Sequence, residues 1–213
     1  MKNLIYILSI IVLLCSCKKE FNDFPVTLYA DKVTYTSDVR LFVGQTKVTD
    51  KAIINKFIRN NAEQFQLSNY VISTYGTMHF NSKDSVTFFT ESSKYSVKKE
   101  DSQFLFYSSL PFPVELSLPG GLRSPRMILP FRKYTDELIL IGTSYFTKEV
   151  GVGYGSYTNL EMSFMAYKIV KTLAGTHMES GTINNEFYEE ATSTLQPTDT
   201  LAIMEYRVKF AAK

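Results

Sequence analysis

The feature that most constrains this chain is an apolar–polar alternation of period two that recurs along most of its length. It is cleanest in two places. Leu160, Met162, Phe164 and Ala166 alternate with Asn159, Glu161 and Ser163, and Ala202, Met204, Tyr206, Val208 and Phe210 alternate with Glu205, Arg207 and Lys209. Successive side chains of a strand point to opposite faces, so each stretch reads as a strand with one buried face. Weaker versions run over residues 27–36, 41–43, 69–80, 86–90, 95–97 and 104–107, and residues 138–146 read as a nearly continuous apolar strand. Short polar turns such as Asn81-Ser82-Lys83-Asp84 separate them. Strands joined this way predict an all-β (β-dominated) fold, an antiparallel barrel or sandwich.

One segment changes period. Over residues 50–65, Ile54, Phe57, Ile58, Ala62 and Phe65 recur at helical spacing, while Lys51, Lys56, Arg59 and Glu63 lie largely off that stripe. Thr49 or Asp50 can cap its start, because a side-chain oxygen accepts the free amide protons of a first turn. This predicts one amphipathic helix near residues 50–65, laid over the sheet or plugging one end of a barrel. Residues 110–130 carry five prolines, at 111, 113, 119, 125 and 130, with Gly120 and Gly121. Proline lacks an amide donor, so this stretch is expected to be a long ordered loop or an edge excursion.

The amino terminus has a different character. Lys2 precedes an eleven-residue apolar run, residues 4–14, that is too short to cross a bilayer as a helix and has the length of a signal-peptide apolar region. Leu14-Cys15-Ser16-Cys17 then resembles the lipobox of bacterial lipoproteins, with an aliphatic residue three places before an obligatory cysteine and a small residue just before it. The resemblance implies a cleaved signal peptide over residues 1–16 and a diacylglyceryl group, commonly with a further acyl chain such as palmitate, on Cys17. Cys15 fits poorly because Leu14 would occupy the position that must be small. Residues 17–25 then form a lipidated tether, and residues 26–213 a single β-rich domain. Lys18 in place of aspartate and the charged run 18–23 are similar to signals that send lipoproteins to the outer membrane. The expected location is therefore the cell envelope, lipid-anchored to the outer membrane, facing the periplasm or the cell surface.

Cys15 and Cys17 are the only cysteines. The mature domain therefore has no disulfide, thiol nucleophile or cysteine metal site, and its 16 Phe and 14 Tyr must supply the core. A formal charge of +2 without a long basic run argues against a nucleic-acid partner. The order of elements resembles calycin and lipocalin-type barrels, which implies a closed barrel and a small apolar ligand or lipid as partner.

No catalytic constellation emerges, and no cofactor or metal is predicted. His79 lies on the more polar face of its strand, and His177 in an expected turn, Gly175-Thr176-His177-Met178-Glu179. Nothing in the spacing brings the two together. Gly153-Tyr154-Gly155-Ser156-Tyr157 lacks the closing glycine of a nucleophile elbow. The run Gly151-Val152-Gly153-Tyr154-Gly155 lacks the third glycine of a dinucleotide fingerprint and reads as a flexible hairpin or bulge. Ligand or partner contacts are expected at Arg123 and Arg126 in the proline-rich loop, and at Arg207 on the last strand, whose Glu205–Arg207 face would line a barrel if turned inward. A membrane-bound, non-catalytic binding protein is the leading expectation. An interaction module that docks an envelope protein is the alternative, and a hydrolase using His79 or His177 comes third.

Overall fold

The computed structural model describes residues 23–65, 76–88, 93–117, 123–172 and 176–213. The signal peptide and lipobox therefore lie outside the described residues, as do residues 69–75 of the expected third strand. Eight antiparallel strands close into a barrel. In ring order they are β1 (Val26–Thr36), β4 (Thr77–Ser82), β5 (Ser85–Phe88), β6 (Ser93–Glu100), β7 (Gln103–Pro113), β11 (Ser144–Ser156), β12 (Asn159–Lys171) and β14 (Thr200–Ala211), which pairs back to β1.

The last two ring strands organise the molecule. β12 and β14 pair from Asn159↔Ala211 to Val170↔Thr200, longer than the ring requires, and both ladders fork. On its other edge β12 pairs with β11 through Met162, then with β13 (His177–Ile183) from Met165 onward. The other edge of β14 pairs with β1 over Tyr206–Ala211, then with β2 (Arg40–Val43), which continues into β3 (Thr46–Lys47). Each fork is bridged by a polar side chain. Asn184 Nδ2 donates to the carbonyls of Val152 and Ser163, and Ser37 Oγ accepts from the Glu205 amide while the Ser37 amide donates to the Glu205 carbonyl.

This layout explains why β12 and β14 are buried on both faces. Leu160, Met162, Phe164, Ala166, Ala202, Met204, Tyr206, Val208 and Phe210 face the barrel interior. Leu28, Met78, Phe80, Val86, Phe104 and Phe106 meet them there, with Phe80 in ring contact with both Phe104 and Phe106. On the outer face, Met165, Tyr167, Ile169, Leu201 and Ile203 form a second core. Met127, Ile128, Phe131, Phe187, Ala191 and Leu195 cover it from residues 127–134, which include η1 (Leu129–Phe131), and residues 184–195, which include η2 (Glu189–Thr194). A strand covered on both sides reads as a continuous apolar run over that half.

The ends of the barrel are closed differently. Tyr157, in the β11–β12 turn, packs edge-on against Phe24, Phe80 and Phe104. Towards the forked end lie α1 (Lys51–Asn60) and α2 (Ala62–Phe65), which pack Ile54, Phe57, Ile58 and Phe65 onto the barrel core. Asp50 caps α1 by accepting from the amides of Ala52 and Ile53. The expected single helix is interrupted at Asn61, whose side chain donates to the Phe57 carbonyl and accepts from Lys168.

Two expectations need correction. Residues 138–146 are a hairpin, with β10 (Ile139–Ile141) and β11 separated by a turn at Gly142, whose φ of 62° breaks the strand. His177 begins strand β13 instead of sitting in a turn. The glycine run ends, as expected, at a hairpin, the β11–β12 turn. Its residues lie in β11, and Gly151 is required because a Cβ there would collide with Asn184 Oδ1 at the fork. Gly155, at φ 132°, admits the hairpin turn where any Cβ would meet the Asn159 carbonyl. Of the proline-rich stretch, residues 118–122 lie outside the described residues, and the described part leaves the barrel as an edge excursion. Pro111 and Pro113 lie in β7 beyond its last pairing with β6 at Ser108, where only β11 flanks it. β8 (Glu115–Ser117) and β9 (Arg123–Pro125) form a separate small ribbon.

Candidate functional site

A cleft of about 510 Å³ opens on the outer wall of the barrel, between the two forks. Its polar lining is Tyr35, Lys133, Ser163, Glu186, Glu205 and Arg207. The placement follows from register. Ser163 pairs with Arg207 and Met165 with Glu205, so the outward faces of the two strands turn from apolar to polar within one cross-strand pair of each other. Above this level the covering segments seal the second core. Below it they leave a polar hollow.

Glu186 is the centre of the cleft. One oxygen accepts from Tyr154 (2.9 Å) and Ser163 (3.2 Å), and the other from Lys133 Nζ (2.8 Å). Arg207 Nη2 stands 3.9 Å away. Burial by itself would raise this carboxyl, but hydrogen bonds from Lys133, Tyr154 and Ser163, together with the Lys133 charge, outweigh it and hold Glu186 below the ordinary carboxylate range. Lys133 is raised in turn, chiefly by its hydrogen bond to Glu186. Tyr154 is driven upward by burial, then by its bonds to Tyr134 and Glu186, so it stays a protonated donor.

The second carboxylate, Glu205, accepts from the Phe187 amide (2.8 Å) and from Arg40. Arg40 also reaches Glu189 (3.2 Å), which Lys47 neutralises from the other side (3.1 Å), and its guanidinium lies over the Phe187 ring. Glu186 and Glu205 are thus held in place by fixed donors. Arg207 is less committed. It lies over the Tyr154 ring at 5.1 Å and the half-exposed Tyr35 ring at 5.9 Å, and its 41% exposed side chain leaves donors facing the cleft.

A neighbouring hollow of about 650 Å³ shares the Lys133–Phe187 wall and is lined further by Tyr188, Glu189 and Glu190. The wall itself is a two-stranded contact. The Lys133 amide donates to the Glu186 carbonyl, the Tyr188 amide donates to the Phe131 carbonyl, and Arg132 bridges Phe187.

Of the contacts expected from the sequence, Arg207 enters this cleft, together with Glu205 on the same strand face. That face points outward, contrary to the inward orientation considered for a closed barrel, because Met204, Tyr206 and Val208 take the interior. Arg126 lies elsewhere, against Phe112, and Arg123 begins β9 in register with Ser117. His79 hydrogen-bonds Thr27 through Nδ1 (2.8 Å) on β4, and His177 lies on β13. The two histidines share no element, and among the described residues no carboxylate orients either ring. Sequence reasoning missed Lys133 and Glu186, which sit in connecting segments without periodicity.

The linkage sign follows from the depressed Glu186 carboxyl. Its contribution to stability is fully present above the ordinary carboxylate value near 4.5 and is lost as the pH falls from there through the lower folded value. Urea midpoints measured across that window are expected to drop with acidification, and Glu186→Gln is expected to flatten the drop. An equal slope in the variant would assign the acid sensitivity elsewhere.

No family model, curated protein or solved structure matches this chain.

Proposed function

We propose that this protein is a lipid-anchored, non-catalytic binding protein of the cell envelope, tethered to the outer membrane through Cys17, that holds a small polar ligand in the outer cleft between the forks. The observation that carries this reading is the cleft itself. Its volume lies within the usual range for small-molecule sites, about 300–1,000 Å³, and its charged groups stand on one barrel strand, β14, and on two connecting segments pinned by Asn185. Lys133 and Arg207 balance Glu186 and Glu205, so the site suits a zwitterion better than an ion of one sign. Arg207 offers donors to an anionic group, and the Tyr35 ring offers an apolar face beside it. An apolar ligand inside the barrel is disfavoured, since it would have to displace Phe80, Phe104 and Phe106, all fully buried and in mutual contact.

The test is a thermal-shift screen of the mature domain against free amino acids and short peptides. A ligand present at a hundred times its Kd stabilises by about 2.7 kcal/mol, a readily measured rise in midpoint. The shift is expected to vanish in Arg207→Gln and to weaken in Lys133→Gln. A screen without a hit, or a hit whose shift survives in both variants, would remove this cleft from consideration.

A second reading, an interaction module of the cell surface, is favoured by one observation. The β10–β11 hairpin leaves Leu138, Leu140, Ile141 and Tyr145 about half or more exposed, and β10 pairs with β11 alone. Leu140 and Ile141 lie on that edge strand, with Tyr145 opposite Leu140 on β11, and such an apolar edge is a ready surface for another protein.

A further inference from the structure

On the other side of the covering segment from Lys133, two arginines converge on one ring. The guanidinium of Arg126 lies 5.1 Å from the centroid of Phe112, and that of Arg132 lies 5.4 Å from the same centroid. Arg132 is only 5% exposed, yet among the described residues no hydrogen-bond acceptor or ion-pair partner stands against either guanidinium, and both Nε atoms are buried without a partner. A buried guanidinium with unanswered donors is costly, because it surrenders water on up to five N–H groups and receives no hydrogen bond in exchange.

The neighbouring carboxylates supply charge but not these hydrogen bonds. Glu179 spends one oxygen on the Tyr167 hydroxyl (2.9 Å) and the other on the Met127 amide (2.9 Å). Glu149 accepts from the Tyr95 hydroxyl at 3.4 Å. Burial lowers the Arg132 pKa, Glu149 opposes that, and Arg126 adds to it, which places the two arginines and Glu149 within one electrostatic neighbourhood. Tyr167 senses Glu179 and both arginines in the same way.

We propose that Arg126 and Arg132 form a carboxylate-binding site, with Phe112 as its floor, opening to solvent on the Arg126 side. A guanidinium fork matches the two coplanar oxygens of a carboxylate. Arg126 and Arg132 are balanced by Glu149 and Glu179, so a monoanion is accommodated with less repulsion than a doubly charged phosphate. The site is independent of the outer cleft and uses none of its side chains.

The experiment compares sodium acetate, sodium benzoate and sodium phosphate with sodium chloride at equal ionic strength, reading the thermal midpoint of the mature domain. Acetate and benzoate are expected to raise the midpoint saturably above chloride, with benzoate the tighter through its contact with Phe112. Arg126→Met, at a partly exposed position, is expected to abolish the effect, and Arg59→Met, on the exposed side of α1, to leave it intact. Arg132→Met removes a buried side chain and is expected to fold poorly. Arg132→Lys is the informative change there: it keeps the charge, loses the fork, and is expected to weaken benzoate at least tenfold. Equal midpoints in benzoate and chloride would overturn the proposal, as would a benzoate response that persists in Arg126→Met. A phosphate response stronger than benzoate would overturn the assignment to carboxylates.

Discussion

Replacing Asn185 with alanine is expected to lower the unfolding free energy by about 3 kcal/mol and to abolish ligand binding in the outer cleft. Asn185 is fully buried, and its carboxamide uses all of its capacity. Oδ1 accepts from the amides of Tyr134 (3.1 Å) and Glu186 (2.9 Å), while Nδ2 donates to the carbonyls of Tyr134 and Val150, each at 2.8 Å. One side chain thus ties together the segment carrying Lys133, the segment carrying Glu186 and the barrel wall. Alanine leaves those backbone groups without their partner in a dry place, and each such loss costs about 1–3 kcal/mol before relaxation. Domains of this kind have only about 5–15 kcal/mol of stability in total, so the effect is large. The expected observation is a lower urea midpoint with an unchanged slope, since the barrel itself still unfolds as one unit. Asn185→Asp keeps the two acceptor contacts but sets a carboxylate oxygen against the Tyr134 and Val150 carbonyls, and should destabilise at least as much as alanine. A loss below about 1 kcal/mol in Asn185→Ala would mean that the covering segments are held by the second core alone.

The same residue illustrates what the sequence could and could not reveal. The barrel strands were legible because one face of each meets a single apolar interior, and period two survives wherever that holds. The second core was also written in the sequence, in a subtler form. On the polar parity of β14, Leu201 and Ile203 precede Glu205, Arg207 and Lys209, and on that of β12, Met165, Tyr167 and Ile169 follow Asn159, Glu161 and Ser163. The alternation fails within one cross-strand pair on two neighbouring strands, which marks the level at which an outer layer begins. Reading it requires the pairing register, and a single strand does not contain that. Asn184 and Asn185 look like any turn pair, and Lys133 and Glu186 lie in segments whose conformation is set by tertiary contacts, so no local period identifies them. The cleft was therefore half visible: the two strands that form its floor could be read, while the segment that walls it could not.

Conversion of Cys17 to alanine is expected to remove the membrane attachment altogether, the largest functional change that a single substitution in this chain should produce. One acyl chain holds a protein only marginally at a bilayer, whereas two or three, at about 0.8 kcal/mol per buried methylene, hold it stably. Protein from native cells should therefore partition into the detergent phase, and its amino-terminal peptide should begin at Cys17 carrying a diacylglyceryl mass. Cys17→Ala should yield no lipidated peptide and should retain residues 1–16 as precursor. Cys15→Ala should be lipidated normally, because Leu14 and Ser16 still frame Cys17. A bare Cys17 thiol in the wild-type peptide would end the lipoprotein reading. The geometry gives the anchor a further consequence. Phe24 is fixed against Tyr157 at the end of the barrel that carries the β11–β12 turn. Residues 17–22 can span at most about 20 Å when fully extended, so that end must stay near the bilayer. β11 runs from this end for thirteen residues to Ser144, beside the apolar β10 hairpin. At about 3.3 Å per residue and a barrel strand tilt of about 35–45°, Leu140, Ile141 and Tyr145 lie on the order of 30 Å farther along the barrel axis. Under the lipid anchor proposed above, the exposed apolar edge would face away from the protein's own membrane. Cysteine-reactive spin labels placed at Lys83, near the anchored end, and at Thr143, in the hairpin turn, should separate the two. With the protein on vesicles, a lipid-phase relaxation agent should reach the first label and leave the second unaffected.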